Sequence, residues 1–241
     1  MYSPDSLITG ELFIGIPLIV ALILLLMRPR RFYFVRHGET LLNAEHIRQG
    51  AEGALSEKGR AQAEEVGRYL HPFRVNMILS STYPRAKETS EILRTHLNAP
   101  ISYSDLLVER RNPTDVVGKS SRDPKVTTIL SQIDLAYHAD DFRISDEESF
   151  DELKSRARKC VDLLAAQGEN GTVIVTHHIF LKACVAYMLY RERLHAGDFV
   201  KLSFFNYSDN AGVTTCEFNP WRIFSPTRGW RIVSYNEKPE K

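Results

Sequence analysis

Two apolar runs in this sequence stop abruptly at a histidine. Phe32–Val35 leads straight into Arg36-His37-Gly38-Glu39-Thr40, and Gly171–Thr176 leads into His177-His178. Short runs of aromatic and β-branched residues, bounded by turn chemistry, read as buried strands. Gly38 lets the chain turn sharply where the first run ends. Between and around these runs the pattern alternates. A helix opens after Ser56, a plausible N-cap, with Ala63, Val66 and Leu70 as its apolar stripe. Met77–Leu79 reads as a strand ending in Ser80-Ser81, and Pro84–Leu97 as a helix with proline in its first turn. Ile101–Leu107 reads as extended, 110–124 as loop, and Lys125–Ile133 as a modest helix. Ser145 and Glu148 form a capping box for a long helix ending near Gly168. Ile179–Tyr190 is a further helix, and Phe199–Phe205, Val213–Phe218 and Trp230–Tyr235 are the last strands. Strands alternating with helices imply an α/β fold: a three-layer α/β/α sandwich around a mainly parallel sheet. In such sheets the carboxyl ends of parallel strands meet along one edge, which is where ligands bind.

Ahead of this domain lies Leu12–Met27, 16 residues without a charge. As a helix it would reach about 24 Å at ~1.5 Å per residue. A hydrocarbon core is ~30 Å thick, so Leu7–Glu11 would have to contribute. A cleaved signal peptide should begin with positive charge and end in small residues. MYSPDS carries only Asp5, and the run ends Leu-Met-Arg-Pro-Arg-Arg. Hydrophobicity on every face argues against a core helix of a mid-sized domain. The expectation is therefore a single membrane span over about residues 7–27, within an anchor and basic stretch covering 1–31, followed by a folded domain over 32–241. Arg28, Arg30 and Arg31 follow the span and no Lys or Arg precedes it, which places the domain in the cytoplasm. The net charge of +1 offers no field for nucleic acid. Cys160, Cys184 and Cys216 are odd in number and lack metal-type spacing, which fits reduced thiols.

The strand ends and helix starts bring a particular chemistry to one edge: Arg36 and His37, Arg85 from the start of a helix, Glu109 after Leu106-Leu107-Val108, and His177. Singly each has an ordinary reading, as a surface salt bridge, an exposed acid or a core histidine. Together, two guanidiniums and a helix N-terminus suit a tetrahedral dianion. A neutral imidazole can attack phosphorus. A carboxylate can protonate the departing oxygen and then deprotonate a water. No step requires a metal or other cofactor, because cationic side chains neutralise the transferring group.

These residues resemble the histidine phosphatase superfamily, which includes cofactor-dependent phosphoglycerate mutase. The family's Arg-His-Gly signature appears as RHGETLLN, Arg36–Asn43; its next segment as LSEKGRAQA, Leu55–Ala63; and its Ser-Ser-x-x-x-Arg-Ala-x-x-Thr as SSTYPRAKET, Ser80–Thr89. Leu107-Val108-Glu109-Arg110 and Val175-Thr176-His177 complete the set, in the family's order, over about residues 32–218. The resemblance implies that His37 is the phosphorylated nucleophile. It implies that Arg36, Arg85 and His177 complete the phosphate pocket, that Gly38 and Asn43 line it, and that Glu109 is the proton donor.

Three departures from the pattern bear on activity. His178 stands where the family commonly has glycine; His46–Ala54 lacks the Phe-Thr-Gly-Trp type segment of the mutases; and Glu109 is followed by Arg-Arg-Asn-Pro-Thr. The last two favour a phosphatase. A phosphoglycerate mutase-like phosphotransferase and a non-catalytic phospho-ligand-binding module are the rival readings. The expected partner is a phosphorylated small molecule or a membrane-associated phosphosubstrate, with the lipid bilayer held through residues 7–27.

Overall fold

The strand that leads to Arg36-His37 is the spine of the molecule. In a computed structural model that describes residues 27–136, 143–205 and 207–239, β1 (Arg30–Arg36) lies between β4 (Thr172–Thr176) and β5 (Val213–Phe218). β2 (Met77–Ser81), β3 (Ile101–Ser104) and β6 (Trp230–Glu237) complete a six-stranded sheet of order β3-β2-β4-β1-β5-β6. β1 to β4 are mutually parallel, whereas β5 is antiparallel to β1 and β6 to β5, so the sheet is mixed.

Alternation along the strands sends side chains to two cores. Phe32, Phe34 and Ile174 face one side, with α5 (Phe150–Gln167), α6 (His178–Tyr190) and α7 (Ala196–Phe205). Tyr33, Val35, Val173 and Val175 face the other, with α2 (Glu57–Leu70) and α3 (Pro84–Leu97). These are the three expected layers. Of the remaining helices, α4 (Pro124–Ala136) packs Ile129, Leu130 and Ile133 against the first of these cores, and α1 (Leu41–Ala44) buries no residue. Ser56 caps α2 by accepting from the Gly59 amide. Pro84 opens α3, as expected from its fixed φ and missing donor.

Three expected elements differ. Phe199–Phe205 is not a strand; it belongs to the helix α7. A short apolar run satisfies either period, and here Ala196 and Phe199, three residues apart, turn into the core together. The long helix starts four residues later than expected. Ser-x-x-Glu occurs twice in succession, and the working capping box is Ser149 with Glu152, directly ahead of the stripe Phe150, Leu153, Ala157, Val161 and Leu164. Glu148 instead pairs with Arg156. Ile101–Leu107 is extended only to Ser104, whose hydroxyl accepts from the Leu106 amide and opens a 3-10 turn over Asp105–Leu107.

The expected span over residues 7–27 falls, except for Met27, outside the described residues. Among the described residues no helix is long and apolar enough to cross a membrane.

Candidate active site

β1, β2, β3 and β4 all end at one edge, and the edge is fixed by backbone. The His37 amide donates to the Thr176 carbonyl at 3.0 Å, which ties the ends of β1 and β4. The Gly38 amide donates to Thr89 Oγ1 at 3.1 Å, and so docks the turn after β1 on α3. Gly38 also packs against Gly59 at the start of α2 without room for a side chain.

Arg36, His37, Arg85 and His177 come together there, all buried. His37 Nδ1 lies 2.8 Å from the Gly38 carbonyl, an acceptor, so Nδ1 carries the proton. Nε2 is then the lone-pair nitrogen, and it accepts from Arg85 Nε at 3.3 Å. The same Nε lies 3.3 Å from His177 Nδ1, which must likewise accept. His177 Nε2 donates to Ser81 Oγ at 2.8 Å, at the end of β2. The two imidazole centroids are 5.0 Å apart. Arg85 is itself held from behind: its Nη1 donates to the carbonyls of Gly50, Ala51 and Glu52 at 3.0, 3.2 and 3.1 Å. Its guanidinium lies over the Tyr83 ring, 4.9 Å from the centroid.

Burial, and then the Arg85 charge, push both His37 and His177 well below the ordinary histidine range. Both are neutral at neutral pH, as a nucleophilic imidazole must be. Burial also brings Arg85 down to about 10, still protonated at neutral pH. Arg36 donates from Nη1 to the Ser208 carbonyl at 2.5 Å, while its Nε is buried with no hydrogen-bond partner. A buried charged donor left unpaired is costly, and a bound anion is the ordinary way to satisfy one.

Glu109 stands at the N-terminus of α6. Its carboxylate accepts from the amides of Ile179 (3.1 and 3.2 Å) and Phe180 (3.1 Å), and from the Arg110 amide at 2.9 Å. After burial, which lowers Arg85, the Glu109 charge acts on it in the opposite sense and favours its protonated form. Asn43 lies in the turn after His37. Its amide and side chain close a capping box with Thr40 around α1, and its Oδ1 also accepts from Asn210 Nδ2 at 3.4 Å.

Several members of the site give little sign of themselves in the sequence. Arg156 sits mid-helix in α5, where arginine normally faces water. Here it pairs with Glu148 and donates from Nη1 to the carbonyls of Leu106 (3.1 Å) and Val108 (2.6 Å), splinting the segment that carries Glu109. Ser208 offers its carbonyl to both Arg36 and His178 Nδ1, the latter at 3.1 Å. His178 is thus a neighbour of Arg36. Burial, with Arg36 and Lys182 beside it, lowers it to about 4. Lys182, one helical turn further along α6, is lowered to about 8 by burial and by Arg36. Asn210 donates to the His37 carbonyl at 3.1 Å. Only the turn-forming string Ser208-Asp209-Asn210-Ala211-Gly212 hints at that loop.

A pocket floored by a neutral imidazole, walled by two guanidiniums and bordered by a carboxylate can bind a phosphoryl group and accept it. Comparison with known proteins agrees. The model of the histidine phosphatase superfamily (branch 1) matches residues 32–237. A probable phosphoglycerate mutase GpmB of Salmonella arizonae is 32% identical over 163 residues, covering 65% of this chain and 74% of that one. A probable phosphatase of Schizosaccharomyces pombe is 29% identical over 168 residues, covering 66% and 56%. Among solved structures, a mycobacterial glucosyl-3-phosphoglycerate phosphatase superposes with a TM-score of 0.69 at 23% identity, over 87% of this chain and 99% of that one. A putative alpha-ribazole-5'-P phosphatase from Escherichia coli superposes at 0.72 and 18% identity, over 88% and 98%. At such identities the likeness speaks for the fold. With the family model spanning nearly the whole described domain, this chain belongs to the histidine phosphatase superfamily, branch 1.

Proposed function

We propose that the protein is a metal-independent phosphomonoesterase that works through a phosphohistidine at His37. The observation that carries this reading is the arrangement of one nitrogen: His37 Nε2 is unprotonated, because Nδ1 is spent on the Gly38 carbonyl, and it lies against Arg85 Nε. In the first step Nε2 forms a bond to phosphorus as the ester P–O bond breaks. Glu109 gives its proton to the departing alkoxide oxygen. Arg36, Arg85 and His177 hold the phosphoryl oxygens. In the second step water attacks phosphorus, Glu109 takes its proton, the P–N bond breaks, and phosphate leaves with His37 neutral again.

The test uses the full chain in detergent with an aryl phosphate and excess chelator. Turnover should persist, and label from radioactive substrate should be trapped on His37 as an acid-labile, base-stable phosphate. His37→Ala should abolish both, and full activity in that variant would end the covalent mechanism. The names of the GpmB relatives keep a mutase reading alive. Isomerisation of a phosphoglycerate without phosphate release would establish it. Tight phosphopeptide binding without turnover would instead favour a binding module.

The catalytic domain is tethered to the membrane by residues 7–27 and lies on its cytoplasmic side. The uncharged run Leu12–Met27 and the arginines directly after it support this. Digestion of the domain by protease added to intact cells would refute the orientation.

A further inference from the structure

The edge of the sheet opposite the active site carries a surface of a different kind. There β5 and β6 are joined by a turn, Asn219–Gly229, whose Trp221 and Ile223 are half exposed and whose Phe224 is 99% exposed. Large apolar side chains gathered in this way mark an interaction surface. The turn is not loosely held. The Asn219 amide donates to the Gly229 carbonyl at 2.8 Å, and the Trp221 amide to Asn219 Oδ1 at 3.0 Å. The Arg228 amide donates to the Ser225 carbonyl at 2.8 Å, and the Gly229 amide to Ser225 Oγ at 3.1 Å. A well-bonded backbone thus presents these side chains to the outside. Arg222 and Arg228 are exposed beside them.

The position of the turn indicates what it meets. Arg30 pairs with Phe218 and Arg31 with Glu217, so the turn projects past the first residue of β1. It stands where the chain enters the domain, and the chain entering there is the apolar run Leu12–Met27 followed by the exposed Arg28. Of the acids on this edge, Glu217 is paired with Arg31 and Arg231, and Glu169 is exposed.

We propose that the β5–β6 turn is a second point of attachment to a lipid bilayer. Trp221, Ile223 and Phe224 enter the interface, and Arg28, Arg222 and Arg228 meet anionic headgroups. This rests on the tether of residues 7–27 proposed above. It has a consequence for the substrate. β1 spans seven residues, roughly 20 Å at ~3.3 Å per residue, between its membrane end and Arg36. The catalytic edge therefore opens away from the bilayer, toward water, and the substrate is a water-soluble phosphomonoester rather than a lipid phosphate of the same leaflet.

The chain has two tryptophans, and Trp230 is buried, so Trp221 is a ready reporter. The full chain is reconstituted in phosphatidylcholine vesicles, with and without phosphatidylserine, carrying brominated acyl chains. Trp221 emission should be quenched, more so with phosphatidylserine, and Trp221→Phe should remove the quenchable component. Ile223→Asp with Phe224→Asp should abolish quenching of Trp221 and leave hydrolysis of a soluble aryl phosphate unchanged. Protein that floats with the vesicles while Trp221 stays unquenched would overturn the attachment and leave the tether standing. Protein that does not float at all would overturn both. If Phe224→Asp converts a dimer to a monomer without altering quenching, the patch belongs to a second copy and the proposal fails. Faster hydrolysis of phosphatidate in the vesicles than of the soluble ester would overturn the orientation.

Discussion

The backbones of Gly38 and Gly59 touch. A methyl group on Gly38 would lie 2.4 Å from the Gly59 carbonyl oxygen, and one on Gly59 would lie 1.9 Å from the Glu39 carbonyl oxygen. The obstructing atoms are main chain and cannot swing aside. Gly38→Ala and Gly59→Ala are each expected to cost on the order of 1–3 kcal/mol by overpacking. They should also displace His37, so that turnover falls at least tenfold. Urea denaturation and aryl phosphate kinetics check the two parts separately. Wild-type stability in Gly59→Ala would mean that the approach relaxes at little cost.

Arg85 bridges three backbone carbonyls and two imidazoles, which needs a planar fork. Arg85→Lys keeps the charge and loses the fork. By analogy with removal of one oxyanion donor, kcat/KM should drop about 100- to 1000-fold. Inhibition by inorganic phosphate should weaken in parallel. A loss below fivefold would show that charge alone suffices there.

Glu109→Gln should slow esters with poor leaving groups by about 100- to 10,000-fold, because they need the proton, and should spare nitrophenyl phosphate. Arg156 acts on Glu109 through the carbonyls of Leu106 and Val108. Arg156→Met should therefore show the same leaving-group dependence in milder form, whereas a purely structural role would slow all esters alike. Equal effects of Glu109→Gln on phenyl and nitrophenyl phosphate would remove Glu109 from the acid role.

The pH behaviour follows from three histidines held below their ordinary range: His37, His177 and His178. In the unfolded chain each takes up a proton near pH 6.5; in the fold each stays neutral to lower pH. The unfolded state therefore binds more protons in that window, and stability falls as pH drops below about 6.5. For His178 the window runs from there to about 4. Melting temperature should decline on acidification from pH 7 to 5, and His178→Asn should flatten the decline. The acid limb of kcat/KM should lie well below the ordinary histidine range, since burial and Arg85 keep His37 neutral there. A limb centred at 6.5 would mean that its nucleophile is not buried as described.

Most of the sheet was legible because its strands are short apolar runs closed by turn residues, and β2, β4 and β5 lie within a residue or so of where that pattern puts them. The convergence of Arg36, His37, Arg85 and His177 was legible because the histidines and Arg36 stand at strand ends and Arg85 at a helix start, positions that meet along one edge of a parallel sheet. What failed had two periods at once. Phe199–Phe205 is apolar enough for either helix or strand, and Ser145-Asp-Glu-Glu-Ser-Phe-Asp-Glu offers two capping boxes, told apart only by the apolar stripe that begins at Phe150. The antiparallel course of β5 and β6 depends on which edge the chain returns to, which no local pattern encodes. Arg156, Ser208 and Asn210 were out of reach for a similar reason. They act through main-chain carbonyls or as one, and a carbonyl has no letter in the sequence.

The order of the strands separates two burdens. β1 and β4 lie inside the sheet, paired on both sides, so the amides beneath His37 and His177 are among those expected to exchange with solvent only on global unfolding. The stretch after β3 is built of single 3-10 turns, at Asp105–Leu107 and Thr114–Val116, and the first is tied to β4 where Thr176 Oγ1 donates to the Leu107 carbonyl at 2.7 Å. Substitutions there bear on Glu109 and, through the Leu107 carbonyl, on the end of β4, while β1 beneath His37 keeps a strand partner on each side.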